Sequence, residues 1–436
     1  MGDGEHDDGP TRAIILRPEL PRLAPRQETA ASLEEAISLA NGIGLEVVYS
    51  REVRVTKPKA ATLFGAGVIE EATEEAKNLH ANLLIIDGQL SPVQQRNLER
   101  DVGVKILDRT GLILEVFGAR ARTREGVLQV SLAALTYQRT RLVRSWTHLE
   151  RQRGGAGFMG GPGERQLELD RRSIDDQIGR IKRQLDDVRR TRAQHRSGRK
   201  RNDTPTVALV GYTNVGKSTL FNKLTGAGVL SADQLFATLD PTMRGVEMPS
   251  GRTSIFSDTV GFIAELPTEL VEAFRATLEE VSAADVILHV HDLANEERFE
   301  QASDVKTVLA DLGVDAESRV ILDVYNKADA ATAEERTRLM QQPDALMVSA
   351  QTGEGLPALL IAIDAALSSG SVRIVLRLPC AEGEALAWLH RVSFQIGTEV
   401  RDENMIVEAS MLQSEVDRFM KRWSGVAIVQ EASAAS

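Results

Sequence analysis

A single cysteine, Cys380, rules out any internal disulfide and fits a reducing compartment. Aromatic residues make up only 4% of the 436, against 42% hydrophobic overall, so the cores must be built from aliphatic side chains. No run approaches the ~18 apolar residues of a membrane span, and the polar start Met1-Gly-Asp-Gly-Glu-His-Asp-Asp8 lacks a secretory signal's apolar segment. A cytoplasmic monomer without a membrane span is expected. The seven histidines show no metal-ligand spacing, so no zinc site is expected. Positive charge is also short, with 52 Lys and Arg against 63 Asp and Glu, a net of −11. The shortage is local: Arg120 to Arg201 holds 21 basic against nine acidic residues, a net of +12, which leaves −23 elsewhere. One surface that meets a polyanion is expected, inside an otherwise acidic protein.

The run Gly211-Tyr212-Thr213-Asn214-Val215-Gly216-Lys217-Ser218 fits the phosphate-binding loop G-x-x-x-x-G-K-[ST] at every fixed position. It follows the strand-like Thr206-Val-Ala-Leu-Val210 and opens a helical run, Thr219 to Leu224. In that setting backbone N–H groups converge on a β-phosphate, Lys217 reaches the β- and γ-oxygens, and Ser218 can ligate Mg²⁺. Further on, Asp258-Thr259-Val260-Gly261 sits at a strand end, with Asp258 placed to hold Mg²⁺ through water and Gly261 open to the γ-phosphate. Asn326-Lys327-Ala328-Asp329 follows Val320 to Tyr325, and the Asp329 carboxylate can accept both guanine N1–H and the exocyclic amine. Adenine lacks that pair of donors, so GTP and GDP are the expected ligands. Ser349-Ala350-Gln351 supplies backbone contacts to the base. Within Phe236-Ala237-Thr238-Leu239-Asp240, Thr238 is the expected second Mg²⁺ ligand and sensor of the γ-phosphate, with Thr242 as the competing candidate. Lys217, Thr238 and Gly261 form the expected catalytic set.

One absence bears on rate. The residue directly after Gly261 is Phe262, where many GTPases carry a Gln that orients the attacking water. Phe262 has no hydrogen-bonding group, so hydrolysis is expected to be slow until a partner, a monovalent cation or another residue completes the site. Asn214 offers a side-chain oxygen where K⁺ could bridge the phosphates.

An α/β architecture in several parts is predicted. After an acidic tail at 1–10, residues 11–117 alternate strand-like runs (Ala13–Leu16, Leu45–Val48, Leu83–Ile86, Val104–Leu107) with helices over 29–41, 66–79 and 91–101, giving a small parallel α/β domain. The turn Phe64-Gly-Ala-Gly67 is either a second phosphate site or a point of close backbone packing. Over 118–200, Leu128, Leu135, Leu142 and Leu149 repeat every seven residues, with Leu132 and Trp146 on the alternate row. Leu167, Ile174, Ile181 and Val188, with Ile178 and Leu185, repeat the pattern. This predicts a long antiparallel helical hairpin with arms of ~26 residues, ~40 Å. Its tip, 151–163, combines six glycines with Arg151, Arg153, Phe158 and Met159. A dimerisation arm would explain the heptads; the basic charge favours a probe that orders on RNA, through those four residues. The GTPase domain is expected over 204–370, a mostly parallel sheet with flanking helices. A small α+β domain over 371–436 follows, with strands at 372–378, 391–396 and 405–409.

The blocks ahead of the phosphate loop narrow this further. Asp87-Gly-Gln-Leu-Ser-Pro-Val-Gln-Gln-Arg-Asn-Leu98, Leu107-Asp-Arg-Thr110, Arg120-Ala-Arg-Thr-Arg-Glu-Gly126, Gly161-Pro-Gly-Glu164 and Leu167-Glu-Leu-Asp-Arg-Arg172 resemble the HflX family of ribosome-associated GTPases, from residue 11 to the C-terminal domain. The family usually has Thr or Lys after Gly-Pro-Gly-Glu, where this chain has Arg165. The resemblance implies binding to the large (50S) ribosomal subunit and its rRNA, with the tip reaching toward the peptidyl-transferase region. It also implies GTP-dependent splitting or rescue of stalled ribosomes under stress, or a part in ribosome biogenesis, and hydrolysis stimulated by the ribosome. ATP turnover by the N-terminal domain is a further implication, with Phe64–Gly67 as its place. A GTPase gating RNA maturation or assembly away from the ribosome, and a coiled-coil interaction protein with a weak GTPase, are the competing readings.

Overall fold

Residues 10–20, 31–152, 162–201, 204–226, 236, 242–263, 280–311, 313–314, 319–342, 345–368, 371–393, 395–401, 403–423 and 425–433 are described by the computed structural model. By its internal contacts the chain forms two units, and each is taken by itself.

In the first unit, β1 (Arg12–Glu19), β2 (Glu46–Arg54), β3 (Leu83–Ile86) and β4 (Lys105–Asp108) form a parallel sheet in the order β2-β1-β3-β4. All four residues of β3 are buried, as expected for a strand covered on both faces. The crossovers are α1 (Ala31–Asn41), α2 (Ala66–Asn78) and α3 (Pro92–Val102). The start of α3 is written in its sequence: Ser91 accepts from the Gln94 N–H, the Gln94 side chain returns to the Ser91 N–H, and Pro92 occupies the first turn. Gly103, at φ 82°, ends it.

A fourth helix, α4 (Arg109–Arg120), continues past the expected boundary at 117. Asp108 caps it, accepting from the Gly111 N–H at 2.8 Å. The same carboxylate accepts from the Tyr137 hydroxyl at 2.6 Å and pairs with Arg141 at 2.5 Å. Both partners lie on α5 (Arg124–Gln152), so one buried Asp ties the sheet, α4 and the first arm of the hairpin together. Burial, with the Asp108 carboxylate behind it, holds the Tyr137 phenol protonated well above its ordinary range. Next in the chain, Arg109 is buried between Asp87 (2.6 Å) and Glu35 (2.5 Å). Burial alone would lower its pKa, but the two carboxylates override this and keep it charged. Arg17 joins the same Asp87 at 2.7 Å. The Asp87 and Leu107-Asp-Arg-Thr110 blocks are therefore the joint that seats the hairpin.

The hairpin's second arm is α6 (Pro162–Arg201). Leu128, Leu132 and Leu135 of α5 pack with Ile174, Ile178, Ile181 and Leu185 of α6, the predicted heptad rows. Arg139 and Asp175 pair across the arms at 2.8 Å. The arms are longer than the expected ~26 residues, at 29 and 40. The side chains of Trp146, Leu149, Arg151 and Leu167 lie outside the described set, and so do residues 153–161 with Arg153, Phe158 and Met159.

In the second unit, β5 (Thr206–Gly211), β6 (Thr242–Glu247), β7 (Thr253–Asp258), β8 (Val286–Asp292), β9 (Val320–Asn326) and β10 (Leu346–Met347) form one sheet, ordered β10-β9-β8-β5-β7-β6. Only β6 and β7 run antiparallel. The described helices of this part are α7 (Lys217–Thr225), α8 (Arg298–Asp311), α9 (Ala333–Met340) and α10 (Leu356–Leu367). A separate antiparallel sheet, ordered β12-β13-β11-β14, follows: β11 (Ser371–Pro379), β12 (Gln395–Arg401), β13 (Asn404–Leu412) and β14 (Ala427–Ser433). Two helices, α11 (Gly383–Val392) and α12 (Gln413–Arg422), cover it, with Trp388, Phe419 and Trp423 clustered between them. The expected strand over 391–396 is corrected, because Arg391 and Val392 complete the last turn of α11. No described helix is long and apolar enough to cross a membrane.

Candidate functional site

The phosphate loop joins the C-terminal end of β5 to the start of α7, in the middle of the sheet. Two of its glycines are imposed by their surroundings. At Gly211 (φ 152°) an added Cβ would stand 2.3 Å from the Val290 carbonyl oxygen; at Gly216 (φ 88°) it would stand 2.4 Å from Asn326 Nδ2. Asn214, at φ 61°, is exposed at the top of the loop. Lys217 is buried and donates to the Tyr212 carbonyl at 2.7 Å. Burial lowers its pKa to about 8, with Asp258 acting in the opposite direction. Phosphate oxygens would reinforce Asp258 and hold the ammonium charged.

Ser218 donates to Asp258 Oδ2 at 2.7 Å, so the two groups expected on the Mg²⁺ side meet directly. A hydroxyl and a carboxylate are the oxygen donors Mg²⁺ takes in such sites, and the pair fits the ion. Thr259 holds its segment down through a 2.6 Å bond to the Leu209 carbonyl. Val260 is buried beside it. Gly261 is required by close approach, since a Cβ there would lie 2.9 Å from Thr213 Cγ2 and 3.0 Å from Lys217 Nζ. The Thr213 hydroxyl is buried without a hydrogen-bond partner, a polar group left for a ligand to satisfy.

Phe262 is more than a missing hydrogen-bonder. Its backbone pairs with the phosphate loop, accepting from the Thr213 N–H (2.7 Å) and donating to the Gly211 carbonyl (3.1 Å). Its side chain is 3% exposed and packs with Val210, Val281, Ile287 and Val305. The side chain at this position is a core component.

On the base side, Asn326 is a brace. Its Nδ2 donates to the Val215 carbonyl at 2.9 Å, while its Oδ1 accepts from the Ala350 N–H at 2.9 Å. Lys327 (φ 61°) pairs with Asp292 at 2.8 Å, and buried Ala328 donates its N–H to Val348. Asp329 is exposed and accepts from the Ser349 hydroxyl at 2.5 Å. Ser349 thus orients the carboxylate, a role beyond the expected backbone contact. Ala350 is buried and Gln351 exposed.

Phe236 is described alone in its segment: buried at φ 56°, its ring stands edge-on to Phe117 of α4, centroids 4.5 Å apart, within the first unit. Ala237, Thr238, Leu239 and Asp240 lie outside the described residues. Thr242, the alternative metal ligand, opens β6 opposite Asp258. At Phe64-Gly-Ala-Gly67, Phe64 is core and Gly65 caps α2. A cavity of about 490 Å³ beside this helix is lined by Glu70, Glu74 and Asp101 as well as Lys77, an acidic setting that disfavours a triphosphate.

A β5–loop–α7 phosphate cradle, a Ser–Asp metal pair and an Asn–Asp base reader on one mostly parallel sheet define a P-loop GTPase. Family models agree along the chain: residues 30–118 match "GTP-binding GTPase N-terminal", 120–199 "GTP-binding GTPase Middle Region" and 206–327 "50S ribosome-binding GTPase". GTPase HflX of Magnetococcus marinus is 47% identical over 424 residues, 95% of this chain and 97% of that protein. GTPase HflX of Escherichia coli is 46% identical over 354 residues, 80% of this chain and 82% of that protein. The chain belongs to the HflX family of GTPases. A GTP-binding protein from Sulfolobus solfataricus, solved in complex with GDP, is 23% identical with a TM-score of 0.43 and covers 82% of this chain and 99% of that one.

Proposed function

We propose that this GTPase is a nucleotide-controlled switch acting on the large ribosomal subunit, splitting or rescuing stalled ribosomes. The observation that carries the switch reading is the burial of Phe262 in the core. With no group at that position to orient water, hydrolysis awaits a partner, as a switch requires. The partner's chemistry follows from the hairpin. A net +12 lies between Arg120 and Arg201 in a chain of net −11, which suits rRNA and leaves the remaining surfaces to avoid it.

In this account the Gly211–Ser218 backbone and Lys217 hold the phosphates, and Asp329, oriented by Ser349, reads guanine. Ser218 and Thr238 would ligate Mg²⁺, with Asp258 behind a water; the ion would neutralise charge on the β- and γ-oxygens. Asn214 would admit K⁺ against the same phosphates. Gly261 N–H and Thr238 sense the γ-phosphate, and the loops they sit on carry that state to the hairpin. Arg151, Arg153, Phe158 and Met159 would meet rRNA at the hairpin tip.

Sedimentation with purified large subunits tests this. Binding is expected to be at least tenfold tighter with a non-hydrolysable GTP analogue than with GDP. Deleting 151–163 should abolish subunit splitting while leaving GTP binding intact. Nucleotide-indifferent binding, or splitting that survives the deletion, would remove the proposal.

A further inference from the structure

A second cluster of chemistry-bearing side chains lies on the same sheet and takes no part in the nucleotide site. Strand β8, Val286-Ile-Leu-His-Val-His-Asp292, is buried along its whole length. Its two histidines, 289 and 291, are two apart and therefore share one face. In the parallel register with β9, His289 stands opposite Asp323 and His291 opposite Tyr325, so Asp323 joins that face. One carboxylate oxygen, Asp323 Oδ1, lies 2.8 Å from His291 Nε2 and 3.1 Å from His289 Nδ1. The three ligand atoms all fall within 4.8 Å of one another, and no other such group occurs among the described residues.

A hydrogen-bonded clamp between the strands would use the same residues, but it does not account for His289. That ring is 1% exposed, and its Nδ1 has the distance to Asp323 without an aligned hydrogen bond, so a buried nitrogen is left unsatisfied. A metal ion would take up the lone pair of such an atom. Burial lowers the His289 pKa, which keeps that lone pair available at neutral pH. The Asp323 side chain is 41% exposed and gives a cation a way in from solvent. The rings are also held in place: His289 and His291 stand 4.0 Å apart between centroids, and Tyr325 stacks on His291 at 4.9 Å. His291, and after it Lys306, oppose positive charge on His289, and the Lys306 ammonium would weaken rather than forbid an ion.

We infer that His289, His291 and Asp323 form a binding site for a divalent transition-metal ion of the zinc type. Two imidazoles and one carboxylate suit Zn²⁺, Co²⁺ or Ni²⁺, whereas Mg²⁺ takes oxygen ligands. Tetrahedral ligands about 2.0–2.1 Å from the ion stand ~3.3 Å apart, close to the 2.8 and 3.1 Å that already separate Asp323 Oδ1 from the two ring nitrogens. A fourth position stays open to water on the Asp323 side. The site staples β8 to β9 just behind Asp292, Asn326 and Lys327, and it is distinct from the Ser218–Asp258 pair.

The test is titration of nucleotide-free, metal-free full-length protein with Co²⁺ and Zn²⁺, followed by visible absorption and calorimetry. One ion per chain is expected, with the visible bands of a four-coordinate cobalt site and a rise in Tm with Zn²⁺. Asp323→Asn should weaken binding at least tenfold, and His291→Val, a residue type that fits this strand, should abolish the bands. Both variants should keep wild-type GTP affinity, which shows that they fold. Absent bands in folded wild-type protein, or bands that persist in both variants, would overturn the assignment.

Discussion

Asp329→Asn is expected to raise the Kd for GTP by two to three orders of magnitude and to move preference toward xanthosine triphosphate. The carboxylate accepts from two guanine donors, and an amide presents one acceptor and one donor to the same edge. Losing a charged hydrogen bond and gaining a donor–donor clash costs about 3–4 kcal/mol. Xanthine replaces the exocyclic amine by a carbonyl, which the new amide can satisfy. The effect is confined to the base because Asp329 is exposed and held by Ser349 at 2.5 Å, while Asn326 makes the structural bonds to Val215 and Ala350. Equilibrium binding of fluorescent GTP and XTP measures it. Unchanged GTP affinity would show that guanine is read elsewhere.

Phe262→Gln addresses the rate. A missing Gln suggests that restoring it should accelerate hydrolysis, but the packing indicates otherwise. The Phe262 ring fills the core formed by Val210, Val281, Ile287 and Val305. An amide placed there would lose aromatic packing and bury an unpaired polar group, about 3–5 kcal/mol in stability. For a domain of this size the corresponding fall in Tm is roughly 10 °C. Turnover without a partner should stay within about threefold of the wild-type value, the barrier change being under ~1 kcal/mol. Thermal unfolding and single-turnover hydrolysis check the two halves separately. A tenfold gain in rate would mean that the side chain reaches the phosphates after all.

Much of this site was legible because it is local. The phosphate loop, Asp258–Gly261 and Asn326–Asp329 each occupy one turn at a strand end, where the chemistry fixes both residue type and spacing. The heptad rows of the hairpin were legible for a similar reason, since Leu132, Ile178 and Leu185 had to meet. What stayed hidden depends on residues distant in sequence. Asp108 stands in a short polar block, and nothing local shows that Tyr137 and Arg141 converge on it. Strand β8 escaped notice because polar His289 and His291 interrupt its apolar pattern, although it is central to the sheet. For the same reason the histidines carried no metal signal: their third partner, Asp323, is 32 residues beyond His291. Helix α4 and strand β14 lie outside the elements expected from the sequence: polar Asp108, Arg109 and Thr110 open α4, and only Ala427, Ile428 and Val429 of β14 form an apolar run.

If this site is a switch that waits for the ribosome, as proposed above, its turnover must respond to the large subunit. The direct measurement is GTP turnover by the full-length protein, alone and with purified large subunits, in K⁺ and then in Na⁺ buffer. Slow hydrolysis is expected for the protein alone, with stimulation of at least tenfold by the subunits and a smaller rate when Na⁺ replaces K⁺. Fast turnover of the isolated protein, with no response to large subunits, would contradict it.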